Sequence, residues 1–148
     1  MSSMNMKNDI FENLFHLVNF LNAPENDADL LKLAGIDPKK DKHLLPVIVR
    51  VGMQPSLTVG QLAEQLGRDH SSVSRQIAKF EGLSLIGTRP SRQDKRVREL
   101  SLTKSGQAIF ERIEKARSDK MNTLFSELSE SQLAQISDSI RLLNQLIS

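Results

Sequence analysis

The sequence predicts a mostly α protein with one small β hairpin, and three observations predict it. Residues 57–81, LTVGQLAEQLGRDHSSVSRQIAKFE, hold two short amphipathic patterns on either side of Gly67. The next stretch, SLIGTRPSRQDKRVRELSLT, places strand-like segments around a polar, turn-rich PSRQDKR. Helical periodicity then fills both ends of the 148-residue chain. A composition of 39% hydrophobic and 26% charged residues suits a folded globular protein. With no Cys, the chain has no disulfide, thiolate metal site or thiol redox switch. Aromatics are only 4%, too few for a platform that stacks single-stranded bases. No apolar run of about 18 residues is present, and MSSMNMKND lacks the apolar core of a signal peptide, so a cytoplasmic protein without membrane contact is expected.

Residues 1–8 read as a frayed terminus. From about Asp9 to Asn22, Ile10, Leu14, Leu17, Val18 and Leu21 recur at helical spacing, and Phe11, Phe15 and Phe20 widen the stripe. A stripe this wide exceeds what one intramolecular partner usually needs and suggests a second chain, a plain core helix being the other reading. His16, among these residues, reads as an interior histidine. Residues 23–41 read as a polar connection broken by Pro24 and Pro38, with a short turn at 30–34. The run HLLPVIVRVG, residues 43–52, reads as a helix. Its β-branched stretch would equally suit a buried strand, but Pro46 near the start and Gly52 at the end are helix punctuation.

In the central stretch, Thr58-x-x-Gln61 is a capping box, and Leu62, Ala63 and Leu66 share one helical side. Asp69 is placed to cap the second helix, whose Val73, Ile77 and Phe80 form a buried seam. Ala63, Gly67 and Val73 stand at helix-turn-helix spacing, a motif that lays its second helix in the major groove of DNA. The polar positions around the seam are then the candidate contacts: Arg68, His70, Ser71, Ser72, Ser74, Arg75, Gln76 and Lys79. Short hydroxyls allow close approach, while Arg and Gln can read guanine and adenine edges or hold phosphates.

After that helix, Leu85 and Ile86 open one strand, and Val97, Leu100 and Leu102 mark a second. The hairpin between them carries Arg92, Lys95 and Arg96 at its tip, like the wing of a winged helix, whose cations can enter a minor groove. Between Arg68 and Arg98 eight Lys/Arg face three acidic residues, a net of +5, while the remaining twelve positive and fifteen negative side chains give −3. A phosphate-facing surface needs that asymmetry. A solvated charged loop is the plainer explanation of such a cluster. Thr103 caps a long helix to about Leu128, with Ile109, Ile113, Ala116, Leu124 and Leu128 as its apolar positions. Ser129-x-x-Gln132 opens a last helix carrying Leu133, Ile136, Ile140, Leu143 and Ile147. The expected division is a dimerisation helix and connection at 1–42, a winged helix-turn-helix at 43–102, and dimerisation helices at 103–148, paired most economically about a twofold axis.

Taken together and in order, these motifs resemble the multiple-antibiotic-resistance regulator (MarR) family of winged helix-turn-helix transcription factors. The wing's DxR is Asp94-Lys95-Arg96, and LTxxG is Leu102-Thr103-Lys104-Ser105-Gly106. The resemblance implies a homodimer built from the first and last two helices, with two recognition helices in adjacent major grooves of a near-palindromic double-stranded operator. It also implies a wing in which Arg96 reaches the minor groove and Asp94 helps hold the basic residues, with Arg89, Arg92, Lys95 and Arg98 adding charge. The chain departs from the family where Gly followed by Leu-Ile/Val-x-Arg is usual. Here Ser84-Leu85-Ile86-Gly87-Thr88 stands instead, Gly82 lies two residues earlier as a shifted helix exit, and Arg89 comes one place after the expected Arg. Many relatives release DNA when small aromatic or anionic compounds bind, but no aromatic cluster marks a pocket here.

The leading expectation is therefore a dimeric, sequence-specific transcriptional regulator, a repressor, with a small aromatic or anionic effector as the resemblance implies. A winged-helix protein acting through protein–protein contacts is the alternative. No nucleophile elbow, phosphate-binding glycine loop or metal-ligand cluster appears, so neither an enzyme nor a cofactor is expected.

Overall fold

The computed structural model describes residues 2–39 and 42–148, leaving aside the Pro24 side chain. Met1 of the expected frayed terminus, and Lys40 and Asp41 of the expected polar connection, lie outside them. The chain divides into two compact units, Met1–Glu114 and Lys115–Ser148. Its elements in order are α1 (Ser3–Leu21), α2 (Pro24–Leu33), α3 (Leu44–Met53), α4 (Val59–Leu66), α5 (His70–Gly82), β1 (Ile86–Pro90), β2 (Arg98–Leu102), α6 (Lys104–Leu124) and α7 (Glu130–Ile147).

Three expectations need correcting. Residues 3–8 are helical, because Ser2 caps α1 by accepting a hydrogen bond from the Asn5 N–H at 3.2 Å, and Met4 and Met6 extend the exposed apolar side. Residues 24–33 form a helix, not part of a polar connection. Pro24 is no breaker there: it sits in the first turn of α2, where its missing N–H costs nothing, with Glu25 and Asp27 favoured by the helix dipole. Leu31 and Ala34 are buried at its end. Helix α6 stops at Leu124, four residues short of Leu128. Residues 125–128 instead turn, and the Ser126 hydroxyl donates to the Thr123 carbonyl at 2.8 Å.

The core of the first unit joins Leu44, Val47, Ile48 and Val51 of α3 to Leu62 and Ala63 of α4, and to Val73, Ile77 and Phe80 of α5. Ile86 and Leu100 close it from the sheet and Ile113 from α6. The run expected as helix at 43–52 resolves as α3, Leu44–Met53, with His43 just before it. Both capping boxes form, at Thr58 with Gln61 and at Ser129 with Gln132. Strand β1 pairs with β2 antiparallel, from Ile86 opposite Leu102 to Pro90 opposite Arg98. The linker before α4 joins β2 on its other edge, with the Leu100 N–H donating to the Leu57 carbonyl at 2.7 Å.

Three helices close in one way. After α2, α4 and α5, the residues Gly35, Gly67 and Ser84 each take a positive φ: 79°, 63° and 59°. In each case the next residue's N–H reaches back to a carbonyl in the last turn: Ile36 to Leu31, Arg68 to Ala63, Leu85 to Phe80. This is the Schellman closure, and its left-handed position favours glycine. The exit from α5 is therefore at Ser84 and not at Gly82, which is still helical. Ser84 thus holds a left-handed backbone with a Cβ attached, at the place where the resemblance implied glycine.

Gly106 meets a different demand. A Cβ added there would lie 2.0 Å from the Leu85 carbonyl oxygen, so the first turn of α6 can abut the exit of α5 only through a bare Cα. Thr103 completes the joint. Its N–H donates to the Leu85 carbonyl at 3.1 Å, its hydroxyl donates to the Ser84 carbonyl at 2.6 Å, and the same oxygen accepts from the Gly106 N–H at 3.0 Å. This is what LTxxG does in this chain.

In α1 no residue is buried, and Phe11 and Phe15 stack at the surface with ring centroids 6.5 Å apart. In α7 no residue is buried either, and Leu133, Ile136, Ile140, Leu142, Leu146 and Ile147 are exposed. Among the described residues no helix is long and apolar enough to cross a membrane.

Two substitutions test these joints. Gly106→Ala must displace backbone and is expected to cost roughly 1–3 kcal/mol in a urea melt, as overpacking does. A left-handed residue with a Cβ costs about 1–2 kcal/mol, and a glycine loses roughly 0.5–1 kcal/mol more chain entropy on folding. Ser84→Gly is therefore expected to raise stability by on the order of 0.5 kcal/mol; a lower urea midpoint would contradict this reading.

Candidate nucleic-acid interface

Helix α5 is amphipathic in the sense a groove-reading helix requires. Val73, Ile77 and Phe80 are buried, while His70, Ser71, Arg75 and Lys79 are exposed and Ser72, Ser74 and Gln76 are half-buried at the edges. Asp69 holds the helix start. Its carboxylate accepts the Ser72 N–H at 2.9 Å and the Ser72 hydroxyl at 2.7 Å. The Ser72 hydroxyl bond, then the Ser72 N–H, and more weakly Arg75, hold the Asp69 carboxyl below its usual range. The Ser72 oxygen also accepts from Arg75 Nη2 at 3.3 Å, steering that guanidinium along the helix. Two further pairs order the outer face: Arg68 Nη1 donates to Gln76 Oε1 at 2.9 Å, and Ser74 Oγ lies 3.2 Å from His70 Nδ1.

The turn from β1 to β2 is built by backbone and short side chains. Ser91 is buried and its N–H donates to the Val97 carbonyl at 2.8 Å, while Gln93 N–H reaches Ser91 Oγ at 3.2 Å. Asp94 then clasps Arg96 through three donors, the backbone N–H at 3.0 Å, Nε at 3.1 Å and Nη2 at 3.2 Å. The Arg96 guanidinium, and then its N–H, keep the Asp94 carboxyl below the ordinary range. The Arg96 side chain remains 91% exposed, so it is oriented without being covered. Arg92 and Lys95 are exposed and carry no ion pair among the described residues.

The remaining expected wing cations sit differently. Arg89 on β1 faces its register partner Glu99, with Nε 3.2 Å from Oε2. Arg98 is bound up with Thr88 and Glu81. The structure thus gathers His70, Ser71, Ser72, Ser74, Arg75, Gln76 and Lys79 along one helix with Arg68 in the turn before it, and Arg92, Asp94, Lys95 and Arg96 at the hairpin tip, but returns Arg89 and Arg98 to the hairpin's base. One neighbour escaped the sequence reading. His43, just before α3, has its pKa lowered by partial burial of the ring, then by Arg68, Lys42 and Lys79, so the start of α3 adjoins the cations of the recognition region. No spacing rule could link residues so far apart in sequence. Among the described residues no group of His, Asp and Glu could hold a metal ion.

Two helices packed about a tight left-handed turn, an outward polar helix and a basic-tipped hairpin together define a winged helix-turn-helix domain. The model of the MarR family matches residues 45–97, which run from α3 to the tip of the hairpin. The chain is similar to the YusO protein from Bacillus subtilis, at 26% identity over 98% of this chain and 99% of that one, with a TM-score of 0.61. It is similar in fold to a MarR family protein from Bacillus stearothermophilus, at 16% identity over 99% of each chain and a TM-score of 0.79. A third similar fold is FabT from Streptococcus pneumoniae, solved in complex with DNA, at 22% identity over 98% of this chain and 97% of that one, with a TM-score of 0.61. No curated protein matches the chain in sequence.

The lowered Asp69 carboxyl gives a signed expectation. A depressed folded pKa contributes stability above the ordinary carboxylate range and loses it as pH falls through the lowered folded value. Asp69→Asn keeps an N-cap acceptor without the charge. The stability gap between the native protein and this variant is therefore expected to shrink as pH falls through that window, read by denaturant melts at a series of pH values. A gap constant with pH would rule out a charged cap.

Proposed function

We propose that the protein is a dimeric, sequence-specific repressor of transcription acting on double-stranded DNA in the cytoplasm. The observation that carries this reading is the pairing of an outward polar recognition helix with an exposed cationic wing tip in one winged helix-turn-helix domain. Helix α5 would enter a major groove, with Arg75 held by Ser72 and Gln76 held by Arg68 as the side chains best placed for base edges. Arg92, Lys95 and Arg96 would meet the flanking minor groove and its phosphates. The DNA complex of FabT, similar in fold, supports a duplex partner.

A second copy accounts for the faces left open. The apolar residues exposed on α1 and those exposed on α7 amount to more uncovered hydrocarbon than a monomer usually tolerates, and burying them against another chain of the same sequence removes that cost. A twofold dimer presents two recognition helices, hence a near-palindromic operator with half-sites about one helical turn apart. An effector that relieved repression would act only by favouring a helix spacing that does not match DNA.

Selection of bound genomic fragments by the purified protein is expected to yield one near-palindromic motif. Binding to it should fall steeply with salt, because each neutralised phosphate releases counterions. Arg96→Ala is expected to weaken operator binding by at least roughly tenfold while sedimentation still reports a dimer. Binding without any site preference would instead support a protein that works through protein partners. A monomer at micromolar concentration would remove the dimeric part of the proposal alone.

A further inference from the structure

Arg98 opens β2 opposite Pro90, which puts it diagonally across the hairpin from Thr88. Its Nη2 donates to Thr88 Oγ1 and lies 4.0 Å from Glu81 Oε2. Thr88 Oγ1 donates in turn to the same Glu81 oxygen at 3.3 Å. Glu81 is in the last turn of α5, so one carboxylate at the end of the recognition helix receives a hydroxyl from β1 and a guanidinium from β2.

We propose that Arg98 is a positioning residue, which sets the pitch of the wing against the recognition helix through Thr88 and Glu81 and makes no contact with nucleic acid. The proposal rests on the DNA-binding reading above. It separates the wing's cations by task. Arg92, Lys95 and Arg96 at the tip carry charge to the duplex, whereas the charge of Arg98 is spent on Glu81. A strut at the hairpin's base needs to act only on direction: a small rotation there is magnified at the tip, and the tip must meet the groove beside the one α5 occupies.

The test measures affinity of the full-length protein for its selected operator over a series of salt concentrations. Arg98→Gln and Glu81→Gln are each expected to lower affinity several-fold with the salt slope unchanged, and the double variant should be no weaker than either single one. Lys95→Ala is expected to lower affinity and reduce the slope by about one. Thr88→Arg, added to Arg98→Gln, is expected to restore affinity with no change of slope, since it returns a guanidinium to Glu81 from β1. A slope reduced by about one in Arg98→Gln, together with unaltered affinity in Glu81→Gln, would make Arg98 a phosphate contact and overturn the proposal. If the native protein selects no duplex, the DNA-binding reading fails on its own. The strut is then read in the free protein by a thermal-unfolding double-mutant cycle between Glu81 and Arg98, where additive effects would sink it.

Discussion

The Leu85 carbonyl is the point on which the reading head bears. It accepts the Thr103 N–H, and the bare Cα of Gly106 lets the first turn of α6 close against it. One residue later β1 begins, and one residue before Thr103 β2 ends, with Ile86 and Leu102 paired. The hairpin is thus clamped at its root between the exit of one helix and the start of the next. Any side chain at position 106 would push those two backbones apart, and the wing's root would move with them. Such a clamp uses an amide, a hydroxyl and the absence of a methyl group, and it makes no use of the side chains of Lys104 and Ser105, both exposed.

The parts of this architecture that announce themselves in the sequence are those governed by neighbours in the chain. Capping boxes at Thr58 and Ser129, the cap at Asp69 and the Val73–Ile77–Phe80 seam are all local patterns, and all form. Helix α2 was hidden because proline breaks helices in the interior but starts them in the first turn, and only the fold decides which applies to Pro24. The α5 exit was obscured by a serine holding a left-handed backbone, where glycine would have advertised the turn. Of the site, the net charge was legible and its disposition was not. Whether Arg89, Arg96 or Arg98 faces solvent or a carboxylate depends on strand register and on Glu81, a residue of another element.

That disposition shapes the field the domain presents. Cations at the hairpin's base are compensated by Glu99 and Glu81, whereas Arg92 and Lys95 at the tip are not compensated among the described residues. Asp94 compensates Arg96 only in part, because it fixes the guanidinium while leaving it exposed. The potential is therefore concentrated at the hairpin's far end and along α5, the two places a duplex could meet. A protein with the same formal charge spread evenly over its surface would attract polyanions without orienting them.

The bridge from the linker before α4 to β2 has a consequence for how the protein behaves at high concentration. A two-stranded sheet has two free edges, each a template for pairing with another chain. On β2 the middle of that edge is already taken by the Leu57 carbonyl. On β1 the run ends in Arg89 and Pro90, a charge and a residue with no N–H to offer. The hairpin can therefore stand out from the domain without seeding the strand-to-strand stacking that leads to aggregates.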